Sequence, residues 1–503
     1  MDPATETLLR FATSLICLLL IAVSLRAKFP PSDWRAKTIA VTAAALALLT
    51  FYNFGAVRHY QGDGFVNYHE HFHYYLGAKY FSELGYDGLY AASLAAHRES
   101  LPNTALPKWV RDLRTNTLVL SEDHMVYADS IAARFTPERW QQFVSDRNRI
   151  HRFASAKVNR AIHKDHGFNP TPTWVSVARL ITALVTPGPM GSGILCLLDI
   201  VLASLMFFLI GRTYGSRVLC ASLVVFGLGF GWRYVYVGAL MRLDWLVAVV
   251  SAFCMLERKR PALAGMMLGY ATATRLFPAL LLAGPALLAL KAWRRRERPE
   301  WPLQLFGAFA ATVALGLLAG TLSGRGFAGW SEFVDNMRMH VALVSPMTFD
   351  LNTALHIDPL ALTRALVTLT PMPGSSLPAM VERHGLVLPA LRLGFIVLFC
   401  LAAWRASLGE SAVLGLALIF ALTPVTSYYW VVLLALPLLP GRLAPLVPVI
   451  FAAFLYGHEV MSGPFRLVDE RRYAISLCLA LFFALWLGRR ASQAFWPRQQ
   501  RPR

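Results

Sequence analysis

The stretch Leu303-Gln-Leu-Phe-Gly-Ala-Phe-Ala-Ala-Thr-Val-Ala-Leu-Gly-Leu-Leu-Ala-Gly-Thr-Leu322 decides the architecture of this chain, because it holds no charged side chain. A helix of that length reaches about 30 Å, the thickness of a bilayer's hydrocarbon layer. Working outward, comparable runs occupy Leu8–Leu25, Thr38–Phe54, Gly193–Ile210, Leu386–Trp404 and Tyr473–Leu487. The whole chain of 503 residues is 56% hydrophobic and only 15% charged, against roughly 25% charged in soluble domains. The reading is an all-α, polytopic helical membrane protein with about thirteen transmembrane helices.

A net charge of +19 would suit a nucleic-acid binder, but the placement of the basic residues argues against one. Arg26, Lys28, Arg35 and Lys37 lie in one short connection, and Arg258, Lys259 and Arg260 in another. Lys291, Arg294, Arg295, Arg296 and Arg298 form the densest block, and the tail ends in Arg498, Arg501 and Arg503. Cytoplasmic loops carry such an excess, so topology accounts for the charge and no nucleic-acid partner is expected. All six cysteines fall within or at the edges of apolar runs, where they read as small packing residues rather than disulfide partners. The first run lacks the basic leader of a signal peptide, since Asp2 and Glu6 precede it. It is expected to remain as a span.

Alternating spans against basic loops divides the chain into five regions. Residues 1–55 hold two transmembrane helices, and 56–191 form a long extracytoplasmic region. Residues 192–323 form a helix bundle, and 324–385 a second extracytoplasmic region. Residues 386–503 hold the last helices and a basic cytoplasmic tail. The expected setting is a plasma membrane, bacterial by composition, with multiple passes. In the first long region Thr136-Pro137-Glu138 is a helix start, with Thr at the N-cap and Pro at N1. Thr173–Leu184 reads as an amphipathic helix lying in the interface, with Trp174 at headgroup level. Trp330–Val344 forms another helix in the second region.

The chemistry concentrates after the second span, in His59-Tyr-Gln-Gly-Asp63-Gly64 and Asn67-Tyr68-His69-Glu70-His71-Phe72-His73-Tyr74-Tyr75. Flanking glycines let a substrate approach Asp63 closely, where its carboxylate could act as a general base; Asp63 could equally cap the following helix. His69 and His73 are four residues apart and share a helix face. With Glu70 they offer the one ligand set for a divalent metal, though the spacing is not that of the zinc metalloproteases. The other reading is a groove-facing aromatic helix. Arg242, in Gly238-Ala-Leu-Met-Arg242-Leu-Asp244-Trp, sits at the outer end of a span, free to pair with Asp244 or to snorkel. Arg275 ends an apolar helix with no acid beside it in sequence. Charges in such places usually face a cavity or a partner.

An Asp opening the first large outside loop, an aromatic-rich helix and then Gly85-Tyr-Asp87-Gly-Leu-Tyr90 together resemble the GT-C superfamily of membrane glycosyltransferases. The nearest branch is the polyprenol-phosphate-mannose-dependent mannosyltransferases. Ala264-Gly-Met-Met-Leu-Gly269-Tyr-Ala-Thr-Ala-Thr-Arg275-Leu-Phe-Pro278 resembles that branch's Gly-rich helix, with Arg275 where Lys is commoner. Thr423-Pro-Val-Thr-Ser-Tyr428-Tyr429-Trp430 resembles its late Pro-plus-aromatic segment. The resemblance implies transfer of one sugar from a polyprenyl-phosphate donor to a glycan or glycolipid acceptor, with inversion, on the extracytoplasmic face. It implies Asp63 as base and Arg275 and Arg242 on the donor phosphate, which suits a planar guanidinium. Tyr68, His69, His73, Asn336, His340, Tyr428 and Tyr429 would line the substrate groove, and no cofactor is required. The alternative reading is a polytopic transporter or a flippase of lipid-linked substrates, which would place polar groups at the bilayer midplane.

Overall fold

A computed structural model describes residues 3–27, 33–55, 64–229, 233–342, 351, 354, 386–439, 446–462 and 468–495. Helix dominates them, and the one sheet among them is a hairpin pairing Trp109–Asp112 with Thr117–Leu120. Six helices are long and apolar enough to cross a membrane: Ala4–Ala27, Trp34–Phe51, Pro189–Tyr214, Phe277–Arg294, Trp301–Ser323 and Tyr473–Gln493. Ser216–Leu228, Val387–Ala403, Leu408–Leu422, Ser427–Leu438 and Leu446–Met461 are apolar but shorter. The protein is a helical membrane protein.

The outer and inner helices differ in what covers them. Trp301–Ser323 exposes most of its surface, including Leu303, Leu315 and Leu318, as a lipid-facing helix must. Asp244–Glu257 is buried almost all round, from Trp245 and Leu246 to Cys254 and Leu256, so it needs no polar face. Pro261–Arg275 packs closely on Trp301–Gly320 through two glycines a turn apart. A Cβ on Gly265 would stand 2.1 Å from the Leu305 carbonyl oxygen, and one on Gly269 2.7 Å from the Thr312 Cβ. Small residues spaced by four allow this approach of two backbones within a membrane.

Two separate apolar cores result. One joins the spans and is centred on Trp245, Phe253, Phe420 and Trp430. The other, an outer core beyond that inner one, lies mainly in residues 72–178 and is centred on Phe72, Tyr75, Tyr80, Phe143 and Trp174, joined by Leu195, Leu240 and Met241 and by Phe333 from the second loop region. In that second unit Pro137–Phe153 starts as expected: Thr136 caps it by accepting from the Arg139 backbone N–H at 3.3 Å. Thr171 likewise caps Pro172–Ala183. That helix does not hold Trp174 at its surface, as a place at headgroup level requires. Trp174 is wholly buried and donates from Nε1 to the Met241 carbonyl at 3.1 Å. Thr173 and Ser176 donate to the Gly316 and Ala319 carbonyls, each at 2.7 Å. Its polar stripe faces protein backbone at the end of Trp301–Ser323, not water, which the periodicity could not distinguish.

The helix expected at Trp330–Val344 runs from Ala328 to Ala342. The rest of the second loop region lies almost wholly outside the described residues, as do Asp63 and the end of the basic tail.

Candidate functional site

The seam between the two cores is a short loop, Val237–Leu243: Leu240 and Met241 join the outer core, while Leu243 and Trp245 join the inner one. Its backbone is fixed from several sides. Gly238 has φ +68, and a Cβ there would meet the Phe65 carbonyl oxygen at 1.8 Å, so only glycine fits. Its own carbonyl accepts from the Asn67 N–H at 2.8 Å and from Cys196 Sγ at 3.0 Å. Asp199, buried in Pro189–Tyr214, accepts the backbone N–H of Arg242 at 2.9 Å and of Leu243 at 3.0 Å. An acid inside an apolar helix is thus explained by two amides that would otherwise lack acceptors.

This loop presents Arg242 to a cluster of aromatic and acidic side chains. The guanidinium is buried, stacks on the Tyr74 ring at 4.2 Å and lies 5.5 Å from the Tyr428 ring, both within reach of a cation–π attraction. Its acidic partner is Glu70, with Nε 3.1 Å from Oε2, rather than the sequence neighbour Asp244. Burial pushes the Glu70 carboxyl above its ordinary range, and Arg242 opposes the rise. Arg275, the last residue of its helix, donates from Nη1 to its neighbour's Thr274 carbonyl at 2.9 Å. Its Nε is buried without a hydrogen-bond partner. Arg275 lies close enough for its charge to bear on Glu70, Tyr74, Tyr236 and Asp244. Asp244 in turn accepts from the Tyr270 hydroxyl at 3.0 Å. Tyr429 packs edge-on against Trp245 and Phe277 and beside Tyr428. Arg242, Arg275, Tyr428 and Tyr429 therefore lie in one cluster of side chains.

His69 and His73 face the other side of Glu70. A π-helical turn over Phe72–Leu76 follows the short helix Tyr68–His71, a distortion frequent at functional sites. The imidazoles are 4.7 Å apart between centroids. Asp165, with 44% of its side chain open, places Oδ2 3.7 Å from His69 Nε2 and 3.9 Å from His73 Nε2. Burial lowers both imidazoles' pKa; His73 adds to the fall at His69 and Arg242 to that at His73, while Asp165 opposes both. Burial disfavours the Asp165 charge, but His73 and His69 outweigh it and hold the carboxyl below its usual range. The expected metal set of His69, Glu70 and His73 is therefore redrawn with Asp165 as its oxygen donor. Successive residues on a helix point about 100° apart, which carries Glu70 round to Arg242.

The remaining expected residues lie elsewhere. Tyr68 stacks on Phe153 at 6.1 Å and approaches His71, whose buried imidazole is pushed down to about 4 by desolvation. Asn336 donates to the Phe168 carbonyl at 3.5 Å, and His340 Nε2 lies 3.0 Å from the His166 carbonyl. They brace the segment that carries Asp165 rather than join the arginine cluster. Tyr74, Asp199 and Asp165 were not singled out from sequence, and Glu70 was read there as a metal ligand rather than as the partner of Arg242. Asp199 had a visible signal, a lone acid inside the apolar run Gly193–Ile210; Asp165, between a lysine and a histidine in a polar loop, had none. No family model, no curated protein and no solved structure matches this chain.

Proposed function

We propose that the protein is a membrane glycosyltransferase. It moves a single sugar from a polyprenyl-phosphate donor to a glycan or glycolipid acceptor on the extracytoplasmic face, with inversion and with Asp63 as general base. The observation that carries the reading is the gathering of Arg242 and Arg275 among the same aromatic side chains, Tyr74 and Tyr429, at the seam of the two cores. Arg275 Nε lacks a hydrogen-bond partner there, and Glu70 alone forms an ion pair with Arg242 among the described residues. A buried guanidinium at Arg242 and a half-buried one at Arg275 suit a departing lipid phosphate, whose charge grows as the sugar leaves. The tyrosine faces suit a sugar ring. The resemblance at Asp63, Ala264–Pro278 and Thr423–Trp430 points the same way. The intramembrane acid Asp199 is engaged by two backbone amides, so it is a poor translocation site, and this favours the enzyme over the transporter or flippase. The chain of about thirteen spans with a cytoplasmic C-terminus belongs to the same proposal.

The test is turnover with synthetic polyprenyl-phosphate sugars. Removing a general base costs about 10²- to 10⁴-fold in rate, so Asp63→Asn should lose transfer while still binding donor. Arg275→Ala removes a charge-assisted contact of about 1.5–3 kcal/mol, so donor affinity should drop about 10- to 100-fold. Unchanged turnover in Asp63→Asn would remove the assigned base and leave Glu70 as the carboxylate to examine. Donor binding indifferent to both Arg275→Ala and Arg242→Ala would end the phosphate assignment.

A further inference from the structure

Beside Arg242 and its partner Glu70, and independent of the sugar-transfer reading, lies a second arrangement. His69 and His73 offer imidazole nitrogens and Asp165 a carboxylate oxygen, and these three atoms all lie within 4.8 Å of one another. Metal–ligand bonds of about 2.0–2.1 Å in a tetrahedral site put donor atoms about 3.4 Å apart. The two Asp165–histidine separations, 3.7 and 3.9 Å, are already near that.

The outer contacts also suit a metal. His73 donates from Nδ1 to the His69 carbonyl at 2.7 Å, which leaves the lone pair on Nε2, the nitrogen that faces Asp165. Metal-bound histidines commonly have their other nitrogen held in this way. The Tyr90 hydroxyl accepts from the Gly167 N–H at 3.1 Å and gives its own hydrogen to His73 Nε2 at 2.7 Å. That hydrogen bond is the one a metal would displace. On His69 the outer nitrogen, Nδ1, stands 4.0 Å from Glu70 Oε1. Asp165 is braced through its neighbours: His340 approaches the His166 carbonyl and Asn336 holds the Phe168 carbonyl. The open side of Asp165 leaves room for an ion to enter.

We propose that His69, His73 and Asp165 form a binding site for one borderline divalent transition metal of the zinc class. Two imidazoles and one carboxylate match zinc, cobalt or iron(II), whereas magnesium and calcium prefer oxygen ligands. The site has three protein donors and therefore an open position for water or a substrate oxygen. Glu70 links it to the arginine cluster, with Oε1 toward His69 and Oε2 toward Arg242. A bound cation would thus add its charge one side chain from the two guanidiniums.

The experiment uses the full chain in detergent micelles, stripped with chelator and titrated with Co²⁺ and with Zn²⁺, with Mg²⁺ as the contrast. The readouts are bound metal after gel filtration and the visible absorption of low-symmetry Co²⁺. One equivalent of Zn²⁺ or Co²⁺ should be retained and no Mg²⁺. Asp165→Asn and His69→Gln, both at partly open positions, should each weaken retention at least as much as loss of an outer partner does, about 10- to 100-fold. Circular dichroism and thermal unfolding of the stripped variants report whether they remain folded. Asp129→Asn, an exposed acid paired with Arg98 that touches neither the ligands nor their braces, should retain the metal and serves as the folded control. Absence of stoichiometric Zn²⁺ or Co²⁺ on the parent, or retention unchanged in both folded ligand variants, overturns the site. Neither outcome depends on glycosyl transfer.

Discussion

Asp199 shows how one side chain can place another. Its two oxygens hold the amides of Arg242 and Leu243, so the Arg242 guanidinium leaves the seam at a fixed angle toward Tyr74 and Glu70. Replacement by alanine would strand two buried N–H groups at about 1–3 kcal/mol each. Asp199→Ala is therefore expected to cost about 2–5 kcal/mol of stability, read as a clear drop in the unfolding midpoint in detergent. Asp199→Asn, which keeps one acceptor oxygen, should fall between alanine and the parent. A midpoint for Asp199→Ala equal to the parent's would show that the clamp does not hold the loop. At this scale the sequence was half legible. Arg242 and Arg275 stood out because each was a charge at the end of an apolar run. The partner of Arg242 did not, because Glu70 lies 172 positions away in a chain whose pairings depend on tertiary packing.

Between elements, the outer unit is tied together by a buried polar knot. Lys79, on the short helix Gly77–Lys79, donates from Nζ to Asp146 Oδ2 at 2.7 Å on Pro137–Phe153. The same oxygen accepts the Tyr80 hydroxyl at 2.8 Å and the Tyr75 hydroxyl at 3.3 Å. Both charged side chains are almost fully buried, so removing one leaves the other uncompensated. Lys79→Met should destabilise by about 3–5 kcal/mol, whereas Lys79→Met with Asp146→Leu should cost less than the single change, since an apolar pair replaces a desolvated ionic one. Equilibrium unfolding of the single and double variants separates these outcomes; equal loss in both would mean that the tyrosines and not the ion pair govern the junction. Helix starts in this unit were readable because Thr136 and Pro137 carry their signal locally. The partner of the following helix was not: Pro172–Ala183 shows the stripe of an interfacial helix, and only the position of Gly316 and Ala319 reveals that the stripe meets backbone.

At the scale of the whole molecule, two cores meeting at one loop constrain which segments share a side of the membrane. Phe333 is buried in the outer core, and Arg325 donates from Nη1 to the Ser82 carbonyl at 2.9 Å. The segments around Val126 and Phe327 must then lie on one side, however many helices separate them in sequence. Between Phe327 and the basic block at Arg295 runs Trp301–Ser323, apolar and mostly lipid-exposed, which should carry the chain across. Single cysteines report this directly in a Cys400→Ala/Cys478→Ala background, because the other four native cysteines are buried. Val126 and Phe327 are 84% and 77% exposed, and the Arg295 side chain 62%. A membrane-impermeant maleimide added to intact cells should modify Val126→Cys and Phe327→Cys, and should reach Arg295→Cys only after permeabilisation. Labelling of Val126→Cys and Phe327→Cys from opposite sides would break the single outer unit. Labelling of Arg295→Cys together with Phe327→Cys would mean that Trp301–Ser323 does not cross, and with it would go the proposed place of Arg242 and Arg275 at the outer membrane surface.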